Sequence, residues 1–222
     1  MTYAPTSADT VTSYTRGAAT IAAGAGILGL IDFVALHLVR PDLAPGAHVL
    51  SEYAIGYAPL GIASFALQTI SCLGLAVALT GIATTIGVRI GAALMALAGV
   101  GLGLAIAFPM DPLDTPVGQE TFAGMMHGVP AMIGIPSIIA ACLVLAYALR
   151  KRVPWAGLRG WLVGLAHLTW VGLVGMIACM ILLLAMQVTV AGEIVGWFNR
   201  LLVVAYSMFV VVAAWPLARG NR

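Results

Sequence analysis

Four short stretches hold most of the side chains that can do chemistry. His48-Val49-Leu50-Ser51-Glu52-Tyr53 carries an imidazole, a hydroxyl and a carboxylate. If this stretch is helical, His48 lies one turn from both Ser51 and Glu52, on one face. Phe108-Pro109-Met110-Asp111-Pro112-Leu113-Asp114 adds two carboxylates, and Gly124-Met125-Met126-His127 adds a second imidazole. Gly196-Trp197-Phe198-Asn199-Arg200 places a guanidinium near an indole. Three readings are open. Imidazoles beside carboxylates can act as general acid and base. The same groups can bind a divalent metal. Or they cap helices and pair with Arg200, since Ser51, Asp111 and Asp114 are good capping types. No H-E-x-x-H or similar spacing occurs, so a metal has the least support and no cofactor is expected.

Asp32 stands apart inside a long apolar run. At 1.5 Å per residue it lies about 10 Å below the outer end of that run. A carboxylate at such depth is costly and marks a functional site by default. With Arg200, Tyr53 and Trp197, it is a candidate substrate contact. His37 is five positions later, about 140° around a helix, so the two do not share a face. His167 reads as a satisfied core histidine.

The surrounding chain dictates what positions these groups. Of 222 residues, 62% are hydrophobic and 8% charged, against about 25% charged in soluble domains. Mean hydropathy is +1.06. This is the composition of an integral membrane protein in one domain. A spanning helix needs about 20 mostly apolar residues. Six runs qualify, at about 17–39, 58–82, 90–108, 124–149, 162–187 and 197–217. The expected fold is therefore all-α, a six-helix membrane bundle. Helices are required because hydrocarbon offers no partner to a free backbone polar group. The first run, about 23 residues long, exceeds the 7–15 of a signal-peptide core, so it reads as a retained span.

The charges sort by side. Arg16, Arg89, Arg150, Lys151, Arg152, Arg159, Arg219 and Arg222 fall at one end of the spans, and Arg40 and Arg200 at the other. The positive-inside rule then puts both termini in the cytoplasm. The opposite links carry Asp42, Glu52, Asp111, Asp114, Glu120 and Glu193, the acids that could do chemistry. No run of like charge exceeds Arg150-Lys151-Arg152, so nucleic acid is not an expected partner. Cys72, Cys142 and Cys179 lie inside apolar runs without C-x-x-C spacing and read as core residues. Gly24-Ala25-Gly26-Ile27-Leu28-Gly29 spells G-x-G-x-x-G, but no strand precedes it, and helix packing accounts for it better than a dinucleotide. Pro130 and Pro136 lie within the fourth run, where each removes a backbone hydrogen bond and is expected to kink the helix.

Taken together, these motifs resemble the bacterial and archaeal membrane family catalogued as domain of unknown function 998, over about 17–217. The matching landmarks are Arg40-Pro41 with Ser51-Glu52-Tyr53-Ala54, then Phe108-Pro109-Met110-Asp111-Pro112, then Gly124 with His127, then Gly196 with Arg200. The family's fifth link often carries Glu before the Arg, where this chain has Asn199. The resemblance implies a six-span bundle and a site at its outer end, not an activity.

The residues point first to an intramembrane enzyme. Its substrate is expected to be a lipid or isoprenoid-type molecule, apolar or amphipathic, entering sideways from the bilayer. The expected catalytic set is Glu52, Asp111, His127, Ser51, His48 and Asp114. A carboxylic acid kept neutral by burial could drive cyclisation or isomerisation, or His and carboxylates could activate water for hydrolysis. The alternatives are a small proton-coupled transporter using Asp32 and a non-catalytic accessory protein. Membrane lipids are the expected surroundings, in the plasma membrane, and an oligomer is compatible with the sequence.

Overall fold

A computed structural model describes residues 12–56, 58–113, 115, 116 and 118–220. The candidate Asp114 and the terminal Arg222 lie outside the described residues. All regular structure among the described residues is helical. Helix α1 is Ser13–Val39, α2 Leu50–Tyr53, α3 Ala58–Thr80 and α4 Ile86–Ala107. Helix α5 is Phe122–Met126, α6 Gly128–Leu149, α7 Arg159–Leu184 and α8 Thr189–Ala218, with a 3-10 turn at Val153–Leu158 before α7. Among the described residues, six helical segments are long and apolar enough to cross a membrane.

The spans close into a ring. α1 packs on α3, α3 on α4, α4 on α6, α6 on α7, α7 on α8, and α8 back on α1. Helix α8 also reaches α3 across the middle and is the most buried span, whereas α7 is the least covered. Small residues set the approach distances, as expected where backbones must come close. A Cβ on Gly101 of α4 would lie 2.6 Å from the Gly134 Cα of α6, and one on Gly172 of α7 would lie 2.7 Å from the Leu202 amide nitrogen of α8. The basic end is tied across links. Arg152 donates to the Ile82 carbonyl at 3.0 Å and the Thr84 hydroxyl at 2.7 Å, and buried Trp155 donates to the Ala213 carbonyl at 3.0 Å.

Two of the departures from the hydropathy boundaries matter for the site. Helix α8 begins eight residues before the sixth apolar run, so Gly196, Asn199 and Arg200 lie inside a continuous helix. The fourth run is divided at His127 into α5 and α6. Pro130 therefore falls in the first turn of α6, where a missing N–H is harmless. Only Pro136 interrupts the helix interior, and the Ser137 hydroxyl donates to the Ile133 carbonyl beside it at 2.7 Å.

Candidate functional site

The four motifs join in two pairs. The first pair couples the link after α1 to α8. Gly196 donates its amide to the Gly46 carbonyl at 2.6 Å. A Cβ on Gly196 would collide with the Pro45 and His48 carbonyls, so glycine is what lets the link lie on the helix. Four residues on, Arg200 Nη1 donates to the His48 carbonyl at 2.7 Å and to the Gly196 carbonyl at 3.0 Å. Its Nε donates to His37 Nε2 at 2.9 Å. His37 Nδ1 faces the Phe33 carbonyl at 2.7 Å, which can only accept, so His37 carries its proton there and receives at Nε2. Asn199 accepts the Leu50 amide at 2.8 Å, fixing the start of α2.

Within the link, Glu52 takes the Val49 amide at 3.0 Å and His48 Nδ1 at 2.9 Å on the same oxygen. The His48–Glu52 pairing forms, but not along a helix as the spacing predicts, because α2 begins only at Leu50 and His48 reaches Glu52 from ahead of the extended cap residue Val49. Ser51 faces another way, into the cavity described below. Tyr53 is fully buried. Its hydroxyl donates to the Leu43 carbonyl at 2.6 Å, and its ring stacks on His37 with the Arg200 guanidinium 5.0 Å from the ring centre. Burial pushes the Tyr53 hydroxyl above its ordinary range, and the Arg200 charge pulls partly back. At the rim, Arg40 bonds both oxygens of Asp42, which holds that carboxyl below its usual range.

The second pair couples the link after α4 to α5 and α6. His127 Nδ1 lies 2.6 Å from the Phe108 carbonyl. Asp111 accepts the Thr121 amide at 2.8 Å and the Thr121 hydroxyl at 2.7 Å, while Thr121 Oγ1 caps Gly124 N at 3.0 Å. Both Asp111 oxygens are therefore engaged at the start of α5. A Cβ on Gly124 would overlap the Asp111 carboxylate, which explains glycine there.

Between the two pairs, inside the ring, is a cavity of about 110 Å³. Ser51, His127 and Asn199 stand at its outer end, and Ser64, Gln68 and Tyr206 line its deeper part, among Leu36, Phe65, Leu102, Ala105, Ile135 and Val203. From Ala58 at the start of α3 to Gln68 is ten residues, about 15 Å of helix. A second space of about 180 Å³ shares Ser51, Phe65, Ala105 and His127 with it. This one runs out past Ile62 on α3 and Ile106, Pro109 and Met110 after it on the α4 side. The cavity thus continues into a sideways gap between the outer ends of α3 and α4.

The predicted site residues divide accordingly. The structure brings Ser51 and His127 to one cavity. Glu52 and His48 are bonded to each other on the link above it, and Asp111 is spent on α5. Tyr53 and Arg200 hold the link to α8 and do not line the cavity. Trp197 is exposed at the outer end of α8, beside Gly46. Asp32 is 8% exposed, its Oδ2 has no partner among the described residues, and its carboxyl stands beside the Ser64 hydroxyl. His167 is held at a peripheral site, receiving Trp170 Nε1 at 2.8 Å and lying 3.2 Å from the Tyr147 hydroxyl. Sequence reasoning missed Ser64, Gln68, Asn199 and the His37–Arg200 bond. A serine and a glutamine four apart in an apolar run were the available signal for the first two.

Among the described residues no group of three or more His, Cys, Asp or Glu is placed to hold a metal ion. No curated protein and no solved structure matches the chain. A family described as "Protein of unknown function (DUF998)" matches residues 20–216, which contain both motif pairs and the cavity. The chain belongs to that family, a multi-pass membrane protein built as a six-span helical bundle.

Proposed function

We propose that the chain is an intramembrane enzyme that draws a lipid or isoprenoid-type molecule sideways between α3 and α4 and acts on its polar head beside Ser51 and His127. One observation carries the reading. The Phe108 carbonyl can only accept, so neutral His127 keeps its proton on Nδ1. Its Nε2 then holds a lone pair, and the residue lines both the cavity and the sideways gap. An imidazole oriented by a second group, in an apolar chamber with a few polar residues, is the arrangement general-base catalysis needs.

Hydrolysis or group transfer fits this arrangement best. His127 Nε2 takes a proton from water or from the Ser51 hydroxyl. The oxygen attacks an ester-type centre, and the imidazolium returns the proton to the departing oxygen. Cyclisation or isomerisation would need a free carboxylic acid at the cavity. Glu52 and Asp111 instead accept hydrogen bonds outside it, and Asp32 stands behind Ser64. A proton-coupled carrier has less support, because Cys72, Leu75, Leu145, Ala146 and Phe209 pack the interior on the basic side of the cavity with almost no exposure. By the Lys/Arg count, both termini lie in the cytoplasm and the cavity in the outer half of the membrane.

The test is turnover in nanodiscs made from host lipid extract, followed by mass spectrometry. The wild type is expected to consume a lipid species, and His127→Asn to leave it untouched at an unchanged melting temperature. Equal consumption by both proteins, or none by the wild type, overturns the reading.

A further inference from the structure

The deep end of the cavity has a direction in its hydrogen bonding. Gln68 is 7% exposed and Asp32 8%, so both are more than nine-tenths buried. Gln68 Nε2 donates to Ser64 Oγ at 3.3 Å. The Ser64 hydroxyl stands beside the Asp32 carboxyl. A serine hydroxyl has one hydrogen. If Ser64 gives it to Asp32, Ser64 can only accept from Gln68. Gln68 must then turn its nitrogen to Ser64 and its carbonyl oxygen elsewhere. Among the described residues no protein donor is found for that oxygen, and Gln68 lines the cavity.

The geometry points to a second polar subsite, in which Gln68, its nitrogen held by Ser64, presents a hydrogen-bond acceptor to the ligand. The ligand group lodged there is a donor, a hydroxyl or an ammonium. The assignment rests on the proposed ligand-binding role of the cavity and narrows its substrate class. Phe65 meets the His127 ring edge-on at 6.4 Å, and Gln68 is three residues deeper on the same helix, a rise of about 4.5 Å. The substrate therefore carries its hydroxyl or ammonium a few bonds from the group that meets His127, with its apolar tail in the α3–α4 gap. A molecule offering only an acceptor at that point would leave two acceptors facing each other in an apolar chamber, which is unfavourable.

Three photoreactive decyl probes with a diazirine near the head test this, one ending in a hydroxyl, one in an ammonium and one in a methyl ether. The protein is in nanodiscs, and labelling of peptides from α3, α4 and α6 is read by mass spectrometry. The alcohol and the amine are expected to label these walls about tenfold more than the ether, the ratio one buried hydrogen bond supports. Ser64→Ala removes the bond that fixes the Gln68 amide, leaving it free to turn, and should bring the alcohol-to-ether ratio close to one. Gln68→Leu should do the same and serves if the first variant folds poorly. Asp32→Asn keeps an acceptor for Ser64 and should keep the alcohol preference. Equal labelling by all three probes in the wild type, or an undiminished preference in Ser64→Ala, overturns the subsite while leaving the cavity as a binding site. Absence of cavity labelling by any probe overturns both readings.

Discussion

His127 Nδ1 lies 2.6 Å from the carbonyl oxygen of Phe108, a bond spanning nineteen residues that joins two of the four family motifs. It orients the imidazole and settles which nitrogen carries the proton. On the other side of the cavity, Arg200 performs a comparable task by gripping the His48 carbonyl. Two hydrogen-bonded struts thus fix the outer ends of the spans around the cavity, and both end on a backbone carbonyl.

The Phe108–His127 bond separates orientation from chemistry. The amide nitrogen of Asn sits close to where His places Nδ1, so His127→Asn keeps the bond to Phe108 but removes the base. His127→Ala leaves the Phe108 carbonyl without its donor, at a cost of about 1–2 kcal/mol. Melting in detergent should show the alanine variant lowered and the asparagine variant near wild type. Equal loss in both would mean that the ring itself, packed on Phe65, carries the stability.

Asp111 and Gly124 form one contact seen from two sides. Asp111→Ala removes the acceptor for the Thr121 amide and hydroxyl, and should cost about 1–2 kcal/mol, as a lost helix cap does. Gly124→Ala forces a methyl group onto the same carboxylate and should cost about 1–3 kcal/mol. In the double variant the alanine at 124 meets an empty place, so its extra cost should largely vanish. A denaturation cycle on the four proteins measures that coupling. If Asp111→Ala abolishes turnover with no loss of stability, the carboxylate acts on substrate instead of on α5.

The spans were legible because twenty apolar residues in a row can have few other fates. The site was legible only in part. Ser51, Glu52, Asp111, His127 and Arg200 stand out as polar residues in motifs, but linear spacing says nothing of partners ten or more residues away. Asp111 illustrates the gap: a carboxylate near a histidine reads as chemistry, and only the fold reveals Thr121 on both its oxygens. The start of α8 was hidden for a related reason. Thr189, Gly192 and Glu193 lower the hydropathy, yet Gly46 and Gly196 let the first link pack against that very turn. Asn199 shows the same limit, since its amide oxygen receives the Leu50 amide across 149 residues of chain.

Arg200→Lys should be far from conservative. The guanidinium serves His37 through Nε and two carbonyls through Nη1. An ammonium is a single point and cannot reproduce the fork. The expected loss is about 3 kcal/mol, the scale for hydrogen bonds to a buried charge. His37→Gln retains an acceptor and should cost about 1 kcal/mol. Unfolding titrations rank the two variants, and a lysine variant as stable as wild type would show that the His48 carbonyl finds another donor.

Tyr53 gives a prediction at alkaline pH. Its folded-state hydroxyl titrates above the ordinary tyrosine value because burial disfavours the phenolate. A raised value means the folded state holds its proton longer than the unfolded state. The resulting stability is fully present below the unfolded tyrosine value, about 10, and is lost as pH rises through the folded one. The link packed on α8 should therefore weaken above that range. Tyr53→Phe cannot ionise, so it should flatten this part of the pH dependence. It should also start from a lower stability, by about 1–2 kcal/mol, because the Leu43 carbonyl loses its donor. Melting temperatures of both proteins between neutral pH and the alkaline limit of the detergent decide the matter, and parallel curves would remove Tyr53 as the titrating group.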